Sequence, residues 1–236
     1  MTEDLRISFD AHPVHEATHR GTMAASATET LRELIVIGEI PPGTPLRLEE
    51  IADRLGMSIS PVREAVRQLA ALGLAEHTPY RGARVTPIDA AEMRDVYEAR
   101  LALESTGVRR TALGWNQEAA RLLESALENL AGAYRRGQRA EIIRGNTGFH
   151  LALAEASGSS WIPRLLRPML ETTERFSAFV IGDDQDGVYE VEERGHSAIV
   201  SACRAGDPDE AERMLREHIA AFTDIFVRDL TAGPTG

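Results

Sequence analysis

The segment over residues 48–74 constrains the fold more than any other part of the sequence; it reads LEEIADRLGMSISPVREAVRQLAALGL. Its apolar residues recur at helical spacing on both sides of Gly56, which predicts two short helices joined by a tight turn. Ser58 or Ser60 can cap the second helix. Pro61 suits the first turn of that helix, because a proline there loses no helical hydrogen bond. The segment therefore predicts a helix-turn-helix unit.

The second of these helices has an apolar inner face and a basic outer side. Its inner face consists of Val62, Ala65, Val66 and Leu69. Arg63 and Arg67 fall on the outer side. An apolar helix pair with outward arginines is the arrangement that places a helix in the major groove of DNA. The pattern therefore indicates DNA binding.

A short hairpin with a basic tip is predicted directly after this helix pair. Two extended runs within residues 74–86 flank the turn sequence TPYRG. Arg81, Gly82 and Arg84 are candidates for contact with phosphates or the minor groove, and Gly82 allows close approach of the backbone. An ordinary hairpin with solvated arginines is the alternative. With a further helix before the pair, the order of elements predicts a winged helix-turn-helix domain over residues 26–88.

The segments outside this domain differ in pattern on its two sides. Residues 1–25 lack periodicity and are predicted to form a flexible tail. Ser26 followed by Glu29 matches a capping box, which predicts the start of the first helix. Residues 89–232 are predicted to form an antiparallel all-α bundle. Its helices are expected near 90–113, 116–136, 138–156, 160–181, 187–205 and 207–230. The predicted fold class is therefore mainly α with one small β-hairpin.

The charge and composition of the 236-residue chain limit its class and its partners. A net charge of −11 excludes a uniformly basic surface for nucleic acid. Residues 57–88 nevertheless contain four arginines and two glutamates, so this segment is basic although the chain as a whole is acidic. No apolar run is long enough to span a membrane, and Cys203, the single cysteine, cannot form a disulfide within the chain. These features fit a cytoplasmic protein with no membrane partner.

Asn146 and three histidines form a second set of candidate functional residues. Asn146 and His150 are four residues apart, so one helix presents both on the same face. His196 and His218 lie on two later predicted helices. Neutral imidazole binds zinc, nickel, manganese or iron(II), so the four side chains could converge on a divalent metal ion. On spacing alone, histidines that are merely packed or solvated are the favoured alternative.

The motif SISPVREAVRQLAALGL, followed by PYRGARVTPI, resembles the GntR family of bacterial transcription regulators over about residues 26–88. The family usually has an arginine after the first serine, where this chain has Ile59. That arginine commonly reads a base, and a base-edge pair is worth about 1–3 kcal/mol of discrimination. The resemblance therefore implies DNA binding with an altered or weakened sequence preference.

The same resemblance implies roles for side chains of the recognition helix. Arg63 matches the remaining arginine of the family's motif and is expected to contact a base. Ser58, Ser60 and Arg67 are expected to contact phosphate or the DNA backbone. A homodimer would place two such helices on a palindromic double-stranded operator.

The C-terminal pattern resembles the FCD ligand-binding domain, which defines the FadR subfamily of GntR regulators, over about residues 90–230. The shared features are an Asx-x-x-Phe-His sequence, a later histidine that precedes a Gly-Asp pair, and a last histidine on the final helix. Metal-binding members use Asp or Asn and three histidines, and the matching residues are Asn146, His150, His196 and His218. Asparagine carries one negative charge fewer than aspartate, so a somewhat weaker metal site is implied. The implied fold is an antiparallel helical bundle with the pocket inside it.

Arg100 lies in the sequence EARLALE, which resembles the family's E-x-R-x-x-L-E segment. In the family this arginine tends to line the pocket, and its planar guanidinium suits a small carboxylate effector. An ion pair along the helix, with Glu104 at i+4 or with Glu98, is the alternative.

Two classes of function follow from these residues. The first is a sequence-specific DNA-binding transcriptional regulator, with a repressor favoured, whose C-terminal domain binds a divalent metal and a small organic acid. The second is a metal-dependent enzyme that uses the three-histidine site to activate water. No HExxH motif or comparable pattern is expected to place a carboxylate beside these ligands, and Glu155 projects in a different direction from His150. The regulator is therefore the favoured interpretation, and no catalytic residue is assigned.

Overall fold

The structure, a computed structural model, describes residues 23–78, 82–180 and 188–232. Over these ranges the chain forms nine helices and one three-stranded antiparallel sheet, which confirms the mainly α fold class. The chain divides into two compact units, Met1–Ile88 and Asp89–Gly236. Most of the predicted tail, and Arg81 at the predicted hairpin tip, lie outside the described residues.

The described part of the N-terminal unit contains three helices and three short strands. In chain order they are α1 (Met23–Val36), β1 (Pro45–Leu46), α2 (Leu48–Leu55), α3 (Ile59–Ala71), β2 (Ala75–Thr78) and β3 (Gly82–Val85). The predicted helix start at Ser26 is wrong, because α1 begins at Met23 and Ser26 lies within its first turn. Alanine and methionine are strong helix formers, so the sequence MAA extends the helix toward its N-terminus.

The helix-turn-helix unit forms as the apolar pattern predicts. Gly56 ends α2 with a positive φ of 62°, and its N–H donates to carbonyls in the last turn of that helix. Glycine adopts this left-handed conformation without strain, and the chain turns here toward α3. A shared core joins α1, α2 and α3, and it includes Leu31, Leu34, Ile51, Leu55, Val62, Val66 and Leu69. The opposite face of α3 is left exposed.

The sheet has one strand more than the sequence predicts. β3 pairs antiparallel with β2 to form the predicted hairpin, and β1 pairs with the other edge of β3. Leu46 lies opposite Ala83, and both side chains are buried. A two-residue strand is too short to show alternation, so periodicity does not reveal it. The pairing ties the hairpin to the segment that leads into α2.

The described part of the C-terminal unit is a bundle of six helices. They are α4 (Ala90–Leu113), α5 (Gln117–Arg136), α6 (Arg139–Ala156), α7 (Ile162–Val180), α8 (Val188–Ala205) and α9 (Pro208–Ala232). The side chains of Asp89 and Asn116 accept hydrogen bonds from backbone N–H groups of the first turns, which fixes the starts of α4 and α5. α4 packs against α6, α7, α8 and α9, so it is the central helix. None of the described helices is long and apolar enough to cross a membrane.

Candidate functional site

The outer face of α3 presents most of the residues predicted to contact DNA. Ser58, Ser60, Arg63 and Arg67 are all exposed. Ser58 precedes the helix as its N-cap residue, and its side chain makes no capping hydrogen bond. Ile59 begins α3 with 37 % of its surface exposed. An apolar side chain therefore stands on the surface where the family's motif has an arginine.

Arg63 and Arg67 line one groove of about 810 Å³, which also reaches Gly82 at the start of β3. Arg47, which directly precedes α2, lines the same groove and was not predicted from the sequence. A single arginine between two leucines has no distinctive spacing that would have revealed it. Glu49 also borders the groove, so its surface carries charges of both signs.

The arginines of α3 and the hairpin differ in their ion pairs. Arg67 pairs with Glu64 at 3.1 Å, and Arg84 pairs with Glu76 at 2.6 Å. Arg63 makes no ion pair with any residue that the structure describes. Exposed pairs contribute only about 0–1 kcal/mol, so a phosphate could readily replace either glutamate. Arg63 can approach DNA without giving up such a pair.

His150, His196 and His218 converge from α6, α8 and α9. One nitrogen of each ring lies within 4.8 Å of the others, and all three residues are buried. The ring centroids of His196 and His218 are 4.2 Å apart, and His150 lies 5.6 Å and 5.5 Å from them. The structure thus brings together three histidines that are far apart in the sequence.

A chain of buried hydrogen bonds holds the His150 ring. Its Nδ1 lies 2.5 Å from Glu104 Oε2. Glu104 Oε1 accepts a hydrogen bond from Arg100 Nε at 2.9 Å, and Arg100 Nη1 donates to Thr173 Oγ1 at 3.0 Å. When Nδ1 carries the proton and donates to Glu104, the Nε2 lone pair of His150 is available to a metal ion. Carboxylates commonly orient metal-binding histidines in this way.

Arg100 therefore forms the pair with Glu104 that was the alternative interpretation of its role. Both side chains are almost fully buried. Contact between Arg100 and an effector stays a prediction. The sequence was expected to hold no motif that places a carboxylate beside the histidines, but Glu104 of α4 reaches His150 through the tertiary fold. Two residues 46 positions apart give no local signal of such a contact.

Burial and neighbouring charges set the protonation of the cluster. Burial by itself would raise the pKa of Glu104, but the Arg100 guanidinium and the His150 ring lower it to about 2. Burial, reinforced by the other two histidines, holds the pKa of His196 well below its usual range. Burial and the His150 ring lower the pKa of His218 to about 3. His196 and His218 are therefore neutral near neutral pH, which is the form that binds metal.

Asn146 lies on α6 one turn before His150, and its amide oxygen has no hydrogen-bond partner among the described residues. Asn146 Oδ1 is buried, and no residue in the described ranges hydrogen-bonds to it. Both ring nitrogens of His196 are also buried without such a partner. Buried polar atoms are nearly always hydrogen-bonded, so atoms left unpaired need an explanation. An imidazole nitrogen and an amide oxygen of this kind fit donors to a divalent ion.

Glu192 lies beside this cluster and was not predicted from the sequence. The residue is 5 % exposed and stands on α8 one helical turn before His196. Its Oε2 lies 3.8 Å from His218 Nε2. Burial raises the pKa of Glu192 to about 8, against the lowering effect of Arg100. Its spacing from His196 was the available signal, but glutamates at this spacing are common on solvated helix faces.

Comparison with known proteins gives this architecture a family. Residues 23–85 match the bacterial regulatory proteins of the gntR family, and residues 95–221 match the FCD domain. The chain belongs to the GntR family of transcription regulators and carries the FCD domain found in its FadR-like members.

Relatives along most of the chain are themselves regulators. The chain is 30 % identical to a probable D-xylose utilization operon transcriptional repressor of Paenarthrobacter nicotinovorans, over 88 % of this chain and 92 % of the relative. It is 30 % identical to the HTH-type transcriptional repressor RspR of Escherichia coli strain K12, over 82 % and 84 %. The solved structure of E. coli McbR/YncC shares the fold, with a TM-score of 0.73, 21 % identity and coverage of 89 % and 100 %. The family is one of regulators, not enzymes, so the enzyme interpretation is set aside.

Proposed function

We propose that this chain is a repressor that binds a palindromic operator as a homodimer and responds to a small carboxylate effector and a divalent metal ion. The observation that supports this most directly is the buried convergence of His150, His196 and His218, in a chain whose other unit exposes a recognition helix. The proposed effector and ion bind in the FCD domain. Such a repressor acts in the cytoplasm, where its operator lies.

In the DNA-binding unit, Arg63 is the side chain that we assign to a base edge. It is exposed, lines the groove beside the hairpin and makes no ion pair with a described residue. Ile59 has no side-chain hydrogen-bond donor, so Arg63 is left to supply the hydrogen bonds to bases that two arginines share in the family's motif. The residues that we assign to phosphate, backbone or minor-groove contact are Ser58, Ser60, Arg67, Arg81, Gly82 and Arg84.

In the FCD domain, the residues fit a divalent ion held by Asn146, His150, His196 and His218. Three imidazoles and an amide oxygen suit zinc, nickel, manganese or iron(II). Asn146 Oδ1 and the His196 nitrogens have no hydrogen-bond partner in the described part of the chain, which supports this donor set, as does the carboxylate that orients His150. When bound, the ion would supply a positive charge that attracts an organic acid.

The effector is proposed to bind mainly through the ion, with Arg100 as a supporting charge. The Arg100 guanidinium already donates hydrogen bonds to Glu104 and Thr173, so only its remaining N–H groups are available to an effector. An acid that completes the coordination of the ion needs no rearrangement of that pair. Such an effector controls transcription only if it binds the DNA-competent and DNA-incompetent states with different affinities.

Arg63→Ala is expected to weaken specific DNA binding by roughly 5- to 150-fold, which corresponds to the 1–3 kcal/mol of one base-edge contact. Fluorescence anisotropy with DNA from upstream of the chain's own gene, at physiological salt, measures the change. Arg121→Ala removes the same charge from an exposed position of α5 and serves as the control. The proposal fails if wild-type protein shows no preference for this DNA over random DNA.

Natively purified protein is expected to contain close to one divalent ion per chain. His150→Ala and His196→Ala should each greatly reduce this content, because each removes one imidazole donor from the cluster. Elemental analysis of the purified proteins provides the measurement. His77→Ala removes an exposed histidine of the other unit and should leave the metal content unchanged. Absence of metal from the wild type would favour a metal-free effector pocket.

A further inference from the structure

Glu192 is a buried carboxylate at the histidine cluster that the proposed donor set does not use. It projects from the same helix as His196, one turn earlier, and its side chain is 5 % exposed. Glu192 Oε2 lies 3.8 Å from His218 Nε2, beyond ordinary hydrogen-bond distance but close enough for both side chains to contact one ion. Glu192 thus lies beside His218 at the edge of the cluster, and the donor atoms that lie within 4.8 Å of one another are those of the three histidines.

One oxygen of the Glu192 side chain is not satisfied by the described residues around it. Oε1 is buried and has no hydrogen-bond partner within the part of the chain that the structure describes. Glu104, the other carboxylate of the cluster, bonds instead to Arg100 and His150. A buried carboxylate is costly unless it is paired or coordinates a metal, and Arg100 is already bonded to Glu104. Oε1 of Glu192 therefore lacks, among the described residues, the partner that its burial requires.

The charges of the cluster also indicate that a bound cation would need a further negative ligand. Imidazole binds a metal ion as a neutral ligand, and the amide of Asn146 also carries no charge. Glu104 is ionised, but Arg100 neutralises it. A divalent cation would enter a buried space whose other donors bring no net negative charge. Glu192 is the carboxylate at this cluster, in the described residues, that remains to compensate it.

We propose that Glu192 is a ligand of the divalent ion and supplies the negative charge that Asn146 does not. This assignment rests on the proposed function, because it presumes that the FCD domain binds a metal. It gives the ion a mixed set of imidazole nitrogens with amide and carboxylate oxygens. Such a set suits manganese, iron(II) and zinc better than the softer copper(I).

Glu192→Gln tests the assignment, with Zn²⁺ alone as the probe. Competition with a chromophoric chelator near neutral pH is expected to show zinc affinity about tenfold or more below that of the wild type. Glu193→Gln removes the same charge from the next, exposed position of α8 and is expected to bind zinc like the wild type. Equal zinc affinity of the two variants overturns the assignment and leaves the proposed metal site standing. Wild-type protein that binds no zinc overturns both.

Two further measurements separate ligation from a structural role. The double variant Asn146→Asp/Glu192→Gln moves the carboxylate from α8 to the Asn146 position of α6 and is expected to regain most of the lost zinc affinity. Metal-free Glu192→Gln is expected to melt at about the temperature of the metal-free wild type, because the substitution keeps the shape of the side chain and Oε1 has no hydrogen-bond partner among the described residues to lose. A double variant without recovery, or a lower melting temperature of the metal-free single variant, contradicts the assignment.

Discussion

Glu104→Ala is expected to lower the free energy of unfolding by about 3–5 kcal/mol, because it leaves a buried charge without its partner. Arg100 is 2 % exposed, and its Nε donates to Glu104 Oε1 at 2.9 Å. Thr173 would remain as a neutral partner of the guanidinium and cannot balance its charge. The substitution also removes the carboxylate that holds the His150 ring. The pair is therefore expected to matter for stability as well as for the site.

Urea unfolding of the metal-free full-length chain, followed by circular dichroism, measures this change. Glu98→Ala is the matched control, since Glu98 is exposed on the same helix and its removal should change stability by no more than about 0.5 kcal/mol. The double variant Arg100→Met/Glu104→Leu should be more stable than Glu104→Ala, because it also removes the unpaired charge. Equal stability of Glu104→Ala and Glu98→Ala would contradict the buried pair.

Gly195→Ala is expected to lower zinc affinity by about 10–100-fold, the range found when groups that orient metal ligands are changed. A Cβ at Gly195 would lie 2.5 Å from His218 Nδ1 and 3.3 Å from Cγ, so the imidazole would have to move. His218 is buried against His196, and the cluster has little room for that movement. The same chelator competition with Zn²⁺ measures the loss.

Gly148→Ala is the matched control for this substitution. Gly148 lies on α6 two residues before His150, and a Cβ there would meet no other atom within 4 Å. Its zinc affinity should equal that of the wild type, and its stability should rise by up to about 1 kcal/mol because alanine favours helix. Equal zinc affinity of Gly195→Ala and Gly148→Ala would contradict the claim that the position of the His218 ring depends on the missing Cβ at Gly195.

The helical elements were predictable because their signals are local. The apolar residues around Gly56 recur at helical spacing, and the caps at Asp89 and Asn116 use side chains adjacent to the helix start. Strand β1 and the start of α1 were not predicted correctly, for different reasons. β1 has only two residues and exists through its pairing with β3. The helix formers before Ser26 extend α1 beyond the capping pattern that was expected to begin it.

The candidate metal-binding residues could be predicted from the sequence, but the side chains that contact them could not. The family's pattern nominated Asn146 and the three histidines, and the fold gathers the histidines from separate helices. The contacts of Glu104 and Glu192 with the histidines were not predicted, because a glutamate on an amphipathic helix normally faces solvent. Their contacts with His150 and His218 arise from tertiary packing of α4 against α6 and of α8 against α9. The role of Gly195 was not predicted either, because it depends on the close approach of the His218 ring to the Gly195 backbone in the folded chain.

Control of DNA binding by the histidine cluster is tested most directly by one titration. DNA from upstream of the chain's own gene is titrated with zinc-loaded and with chelator-treated wild-type protein, at one physiological salt concentration. We expect the DNA dissociation constants of the two forms to differ by about fivefold or more, the lower end of ordinary coupling between sites. His196→Ala should show no such difference. Identical dissociation constants for zinc-loaded and metal-free wild type would contradict control by this cluster.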